Sequence, residues 1–361
     1  MHFREKSIWA KVNAKRLILV TTTHINRIMK VSVCIPTYNQ ANYIEQAIRS
    51  AVQQTVQPWE IIVFDDCSTD ATPQVLERLV AEIPFLSVVY QKKNLGITAN
   101  ADASLRACTG DFIVKLDSDD YLSPEYVEKV GQLFAEYPDA GYIHTAVDEV
   151  DQHGKLLQEK RLFRKSGFQS STDALKSTLK GYRVTANIIM YRRTALEKLN
   201  YLAGRSQHCF DYHLAASMCA AGYGNVYLDE ILSSYRVWTD KFRSKRKYDE
   251  ITGIRQVFEE VIEPAFSKQN WKSSAVKNSR TDFACQYANC LSWTVYNNDE
   301  KKALVSELHK LSSAPKARMF SWLYLNGFGN AMSILSDIQS IPRSIFKTVL
   351  LRFKMVGALR N

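Results

Sequence analysis

The sequence predicts an α/β fold: a mostly parallel twisted sheet with flanking helices, followed by a helical C-terminal region. Three observations carry this reading. Short apolar runs alternate with helix-patterned segments of roughly 10–15 residues, as in right-handed βαβ units. The polar residues of the first third of the chain collect just after the apolar runs, where ligands bind in such sheets. Other architectures are excluded: no apolar run approaches the ~18 residues that cross a bilayer. No segment repeats at a period of roughly 20–50 residues, and 46% hydrophobic with 23% charged residues is a globular composition.

The elements follow in order. Val31–Ile35 is a short buried run that ends at Pro36. Tyr43, Ile44, Ala47, Ile48 and Ala51 recur at helical spacing. Glu60–Phe64 forms a second strand, stopped by the polar run DDCSTD. Thr72-Pro73 reads as N-cap and first helical residue, with Val75, Leu76, Leu79 and Val80 as the apolar face. Leu86–Tyr90 is a third strand, and Ala99–Ala107 a helix that Gly110 is placed to end. Asp111–Leu116 is the fourth strand. A helix then starts at Ser123-Pro124-Glu125 and runs to about Tyr137, before a fifth strand at Gly141–Ala146.

The chain of 361 residues carries a formal charge of +10, unevenly spread. Residues 1–30 net +6, residues 31–240 net −6, and residues 241–361 net +10. An acidic middle disfavours a nucleic-acid surface and suits a cation. The seven scattered cysteines contain no CxxC, which argues against a disulfide framework or zinc ribbon and for a reducing, cytoplasmic setting. Residues 1–29 read as an extension outside the fold, non-native or disordered, with a basic targeting or membrane-contact arm as the alternative.

The chemistry sits at the strand ends. In LDSDD (116–120), three carboxylates follow a buried strand; packing them together raises their pKa unless a cation neutralises them. An Asp-x-Asp there presents hard oxygens to Mg²⁺ or Mn²⁺, which keep waters and accept phosphate oxygens as further ligands. The bland alternative is a solvated acidic turn. FDDCSTD (64–70) reads either as turn chemistry or as a carboxylate aimed at a nucleobase imide or ribose hydroxyl. Asp211 lies in the first turn of a helix ending near Gly222, where it acts either as a dipole-complementing acid or as a catalytic group. His208 and His213 flank it and read as surface or packing residues. Neither GxGxxG nor a P-loop occurs.

Together, VSVCIPTYNQANYIEQAIRSAVQQT, EIIVFDDCSTD, NLGITANADASL, GDFIVKLDSDD and FDYHLAASMCAAGYG stand in the order and spacing of family 2 glycosyltransferases. The chain resembles that family over about residues 30–240. The resemblance implies the glycosyltransferase A fold, with a nucleotide half (30–120) and an acceptor half (121–248), leaving 249–361 as a helical region. It implies transfer of a sugar, with inversion, from a nucleotide diphosphate sugar (UDP-sugar favoured) to an acceptor hydroxyl on a glycan or glycolipid. It further implies that Pro36, Tyr38, Asn39, Asn94, Gly96 and Ser118 border the nucleotide and that Asp66 bonds the base. Asp117 and Asp119 form the metal-binding pair, for Mn²⁺ or Mg²⁺, with Asp117 nearer the ribose. Asp211 is the implied catalytic base. Two positions depart from the family pattern: Phe210 stands where Glu is frequent, and Trp238 of YRVW stands where His is frequent. These departures keep open a non-catalytic binding or scaffold module. A haloacid-dehalogenase-type phosphotransferase is disfavoured, because its acidic motif follows the first strand. The basic run KFRSKRK (241–247) reads either as a cover over the diphosphate or as a solvated loop. Residues 344–358 form a basic amphipathic segment suited to an anionic membrane surface or to packing on its own domain.

Overall fold

The structure, a computed structural model, describes residues 29–202, 209–238 and 245–328. The chain divides into two compact units: Met1–Thr239 with Glu259–Trp271, and Asp240–Phe258 with Lys272–Asn361. The expectations for residues 1–28, His208 and 344–358 lie outside the described residues.

The first unit is built on strands β1 (Val31–Thr37), β2 (Glu60–Asp65), β3 (Leu86–Tyr90), β4 (Phe112–Lys115), β5 (Tyr121–Leu122), β6 (Ala140–Val150), β7 (Leu156–Lys160), β8 (Gly167–Gln169), β9 (Ile189–Arg192) and β10 (Gly224–Arg236). The sheet runs in the order β3-β2-β1-β4-β9-β6-β10-β5, with β7 on β6 and β8 on β10. The expected α/β sheet is present, and its parallel character is complete over the first four strands, where β3, β2, β1 and β4 pair parallel. Beyond β4 the sheet is mixed. β9 enters antiparallel between β4 and β6, while β6 and β10 pair parallel. A strand arriving from 74 residues later in the chain has no signature in local periodicity.

Helices α1 (Ile44–Val52), α2 (Thr72–Glu82) and α4 (Tyr126–Glu136) cover one face. Their apolar sides pack with Val33, Ile35, Val63, Val114, Met190, Ile143 and Val226 in one buried cluster. On the other face lie α3 (Ile97–Ala107) and α7 (Phe210–Ala220), with α5 (Ser171–Ser177) and α6 (Arg193–Lys198) completing the helices up to that point. Residues directly opposite each other in a ladder share a face. Ile113 opposes Tyr191, Tyr191 opposes Tyr142, and His144 opposes Tyr227, so Lys115, two along from Ile113, joins this aromatic, polar face.

Three local expectations are corrected. Pro36 does not end β1: the strand continues to Thr37, with Pro36 opposite Phe64. The β4 ladder stops at Cys34↔Lys115, so Pro36 lies beyond it and its missing N–H costs that ladder no hydrogen bond. Ala71, not Thr72, is the N-cap of α2, and the Thr72 hydroxyl instead accepts from the Gln40 N–H at 2.9 Å. Gly110 does not end α3, which is capped at Cys108. It is needed for close approach: a Cβ there would lie 2.6 Å from the Lys30 carbonyl, and its N–H donates to Ser32 Oγ at 2.9 Å.

The second unit is helical, with α8 (Lys247–Val257), α10 (Ser273–Tyr287), α11 (Asn298–Leu311) and α12 (Pro315–Leu325); α9 (Glu263–Lys268) belongs to the first. Asn297 and Glu300 form a reciprocal capping box on α11. Of the basic run, Lys245 and Lys247 pair with Glu300 and Glu250, and residues 241–244 lie outside the described residues. Among the described residues no helix is long and apolar enough to cross a membrane.

Candidate active site

The C-terminal ends of β1, β2 and β4 deliver the polar residues that the sequence singled out. After β1, Asn39 takes a left-handed conformation (φ 54°), which Asn tolerates. Its Oδ1 accepts from the Thr69 N–H at 2.8 Å, and its own N–H donates to Ser68 Oγ at 2.8 Å. The β1 and β2 loops are thereby tied together. Tyr38 beside it is exposed.

After β2, Asp66 is buried, and its two oxygens accept from the Leu95 N–H at 2.7 Å and the Gly96 N–H at 2.9 Å. Asn94 Oδ1 takes the Gly96 N–H as well, at 3.0 Å. Gly96 has φ 85° and caps α3, so a carboxylate and a glycine together shape the entry to that helix. Asp66 thus has a structural task that its sequence context did not disclose.

After β4, the LDSDD turn closes with the Asp120 N–H on the Asp117 carbonyl at 3.0 Å. Ser118 and Asp120 are buried, while Asp117 and Asp119 are partly open. Arg236, at the end of β10, staples this turn. Its backbone N–H donates to Asp120 Oδ1 at 2.8 Å, its Nε to the Asp119 carbonyl at 2.9 Å, and its remaining nitrogens to the Asp151 carbonyl and Gln46. The indole Nε1–H of Trp238 donates to Asp119 Oδ2 at 2.6 Å. Burial pushes the Asp119 carboxyl up, and Asp117 adds to it, against the Trp238 hydrogen bond. Burial, then Asp119 and Asp117, hold the Asp120 carboxyl well above the ordinary carboxylate range.

Asp211 opens α7 behind Cys209, whose left-handed backbone (φ 62°) turns the chain into the helix. The residue is buried, and its Oδ1 has no hydrogen-bond partner among the described residues. Burial pushes its carboxyl up to about 6; Lys115 opposes that shift and Asp117 adds to it. His213, also buried, sets Nε2 3.0 Å from Glu260 Oε2, a packing role.

The sequence reading missed Lys115. Its side chain is 3% exposed, with Nζ 2.8 Å from Asp117 Oδ1 and 3.9 Å from Asp211 Oδ1. The Phe210 ring lies under it at 5.4 Å, which gives the departure at position 210 a physical role. Burial works against the ammonium, but the Asp117 and Asp211 charges outweigh it and raise Lys115 above its ordinary range. The structure therefore brings Asp117 and Asp211, 94 positions apart, onto one buried cation. Pro36, Tyr38, Asn39, Asp66, Asn94 and Gly96 border the adjoining β1, β2 and α3 ends.

A carboxyl pushed up to about 6 suits proton exchange near neutral pH, and the clustered Asp oxygens suit a hard cation. Asp119 Oδ2 is held by an indole N–H, which orients the carboxylate, and no side chain among the described residues claims its Oδ1. Oxygen donors crowded enough that Asp117 helps to push the Asp119 carboxyl up fit Mn²⁺ or Mg²⁺. Among the described residues no group of three or more His, Cys, Asp or Glu converges for a metal, so any ion here takes further ligands from substrate or water.

Residues 32–199 match the family model described as Glycosyl transferase family 2. The chain is 36% identical over 143 residues to the hyaluronan synthase of Pasteurella multocida, covering 40% of this chain and 15% of that protein. It is 27% identical over 241 residues to the putative teichuronic acid biosynthesis glycosyltransferase TuaG of Bacillus subtilis, covering 67% and 92%. It spans only 15–20% of the length of the hyaluronan and chondroitin synthases that it matches. Among solved structures it is similar to S. aureus TarS 1–349 in complex with UDP-GlcNAc (TM-score 0.57, 18% identity, 84% of this chain and 92% of that one). It is also similar to the mannosyltransferase PcManGT of Pyrobaculum calidifontis in complex with GDP-Man and Mn²⁺ (TM-score 0.52, 19% identity, 91% and 96%). With the motifs in order, the strand ends carrying the acids and the fold shared with these structures, residues 32–199 match glycosyltransferase family 2 and the chain has the glycosyltransferase A fold.

Proposed function

We propose that this protein transfers a sugar from a UDP-sugar to a hydroxyl of a growing polysaccharide or glycolipid, with inversion, using Asp211 as the base. The single observation that carries the reading is the placement of Asp117 and Asp211 around one buried lysine, 2.8 Å and 3.9 Å from its Nζ. Asp117 belongs to the turn at the nucleotide end of the sheet, and Asp211 to the helix over the other half. The polysaccharide assignment is supported by the names of the hyaluronan synthase and TuaG relatives. The UDP preference is supported by TarS, whose complex holds UDP-GlcNAc.

Asp119, with Asp117 beside it, would hold Mn²⁺ or Mg²⁺. When bound, the ion offsets negative charge on the leaving diphosphate. The chain's own residues do the rest. The Asp66 carboxylate fixes the 94–96 loop on which the nucleotide rests. Arg236 and Trp238 keep the LDSDD turn in one conformation. Asp211, poised with a carboxyl near 6, is ionised at neutral pH yet basic enough to accept the proton of the attacking hydroxyl, a contribution of roughly 10²–10⁴-fold. Work in a reducing cytoplasm and contact with a membrane face belong to the same proposal, in keeping with seven scattered cysteines without a CxxC.

The experiment is a thermal-unfolding panel of UDP, dTDP and GDP, each with and without Mn²⁺. A ligand at 100 times its Kd stabilises by about 2.7 kcal/mol. The expected result is stabilisation by UDP that requires Mn²⁺; stabilisation by GDP alone, or by none of the three, contradicts the donor assignment.

A further inference from the structure

Lys115 stands out in the site as a buried cation between two acids. A buried ammonium is costly to desolvate and persists only where opposite charge surrounds it. Here that charge comes from two directions. β4 carries Lys115 towards the face that α7 covers, and Nζ reaches Asp117 Oδ1 at 2.8 Å on its own strand end. The same Nζ stops 3.9 Å from Asp211 Oδ1, which lacks a hydrogen bond among the described residues. The Phe210 ring fills the space beneath.

We propose that Lys115 is a positioning residue that ties the donor-side Asp117 to the base Asp211 and keeps the Asp211 carboxylate aimed at the acceptor hydroxyl. The inference rests on the reading of Asp211 as base. Three features carry it. First, the ammonium is sealed by its neighbours, with 3% of the side chain exposed, so it acts through the two carboxylates and not on bulk substrate. Second, Asp211 sits at the first turn of a helix that begins on a left-handed residue. Among the described residues its Oδ1 has no hydrogen-bond partner, and the Lys115 ammonium lies 3.9 Å from it. Third, Asp117 and Asp211 lie on elements far apart in sequence, and Lys115 touches one and faces the other. A change in Asp117 on donor binding is therefore felt by the base, which gives the two halves of the site a direct electrostatic link.

The test compares Lys115→Met, which keeps the length and removes the charge, with Lys115→Gln in the full chain, alongside Asp211→Asn. Saturating-rate and half-saturation constants are measured for donor and acceptor, and folding is checked by thermal unfolding. The expected result for each folded lysine variant is a fall in kcat of roughly 10- to 100-fold, the size produced by a misplaced catalytic group, with donor KM within about threefold of wild type. Lys115→Gln decides the matter if Lys115→Met does not fold. A loss carried wholly by donor KM, or an unchanged kcat, overturns the proposal. If Asp211→Asn is inactive while the folded lysine variants keep normal kcat, this inference alone fails. If Asp211→Asn keeps normal kcat, the base reading itself fails.

Discussion

The Trp238 indole donates its N–H to Asp119 Oδ2 at 2.6 Å, joining the chain just past β10 to the acidic turn after β4 across 119 positions of sequence. The same indole meets Tyr43 edge-on at 5.4 Å, and Arg236 lies over the Tyr43 ring at 4.6 Å. The two residues of YRVW that stand nearest the turn thus act as its clamp.

Replacing Trp238 by Phe keeps an aromatic ring and removes the donor. A hydrogen bond to a charged group contributes about 1.5–3 kcal/mol, so Trp238→Phe is expected to destabilise by about that amount. It should also weaken Mn²⁺-dependent UDP binding about tenfold, since roughly 1.4 kcal/mol of lost orientation is one decade of affinity. Calorimetric titration of UDP with Mn²⁺ present checks this; wild-type affinity and stability together would show that the indole contact is incidental.

Asp66 accepts the N–H groups of both Leu95 and Gly96. Asp66→Ala leaves the Leu95 N–H at the mouth of α3 without its acceptor, costing about 1–3 kcal/mol where burial is complete, while the Gly96 N–H keeps only Asn94 Oδ1. Because the 94–96 loop borders the proposed nucleotide site, UDP affinity is expected to fall along with the melting temperature. Hydrogen exchange localised to residues 94–100 would report the loosened loop, and unchanged exchange there would contradict the positioning role.

Much of the site was legible in the sequence, because strand-end polar residues in an α/β sheet announce themselves by position. Asp66, Asp117 and Asp119 stand out that way, Asp211 only through its place in a helix's first turn and the family resemblance, and the helix around it ends at Ala221-Gly222 as its composition suggests. Lys115 was not legible. It sits in a strand buried on both faces, where alternation carries no signal and one lysine among apolar neighbours does not reveal which way it points. Its direction follows only from the register with β9, and β9 itself arrives from a non-local segment. The clamp of Arg236 and Trp238 on the LDSDD turn was hidden for the same reason. The resemblance marked the stretch but not its partner. Gly110 misled in the opposite sense: a glycine after a helix suggests a cap, whereas here it admits the Lys30 and Ser32 backbone.

The pH dependence has a definite sign. The Asp211 carboxyl is pushed up to about 6 in the folded protein by burial, against the pull of Lys115. Between about pH 4 and 6 the folded chain therefore holds a proton that the unfolded chain has released. Its contribution to stability is fully present below about pH 4 and is lost as pH rises through 6, amounting to about 3 kcal/mol at most. The base form appears over the same interval, so transfer at saturating substrate should rise through about pH 6 as this part of the stability falls. Chemical denaturation and initial rates measured from pH 4.5 to 7.5 (a window of roughly three units around that value) check both trends. A rate that is flat across this window contradicts the assignment of Asp211.

The most direct measurement is the transfer rate of Asp211→Asn at saturating donor and acceptor. Asn keeps the size of the side chain and cannot take a proton at neutral pH. If Asp211 is the base, transfer falls by roughly 10²-fold or more, about 2.7 kcal/mol in barrier. UDP affinity should stay within about twofold (under 0.5 kcal/mol), and the melting temperature should hold or rise, because a buried charge has been removed. The contrary result is a folded variant with near-wild-type turnover, which would leave Asp211 as an acid at a helix N-terminus, contributing about 0.3–1 kcal/mol to stability and nothing to chemistry.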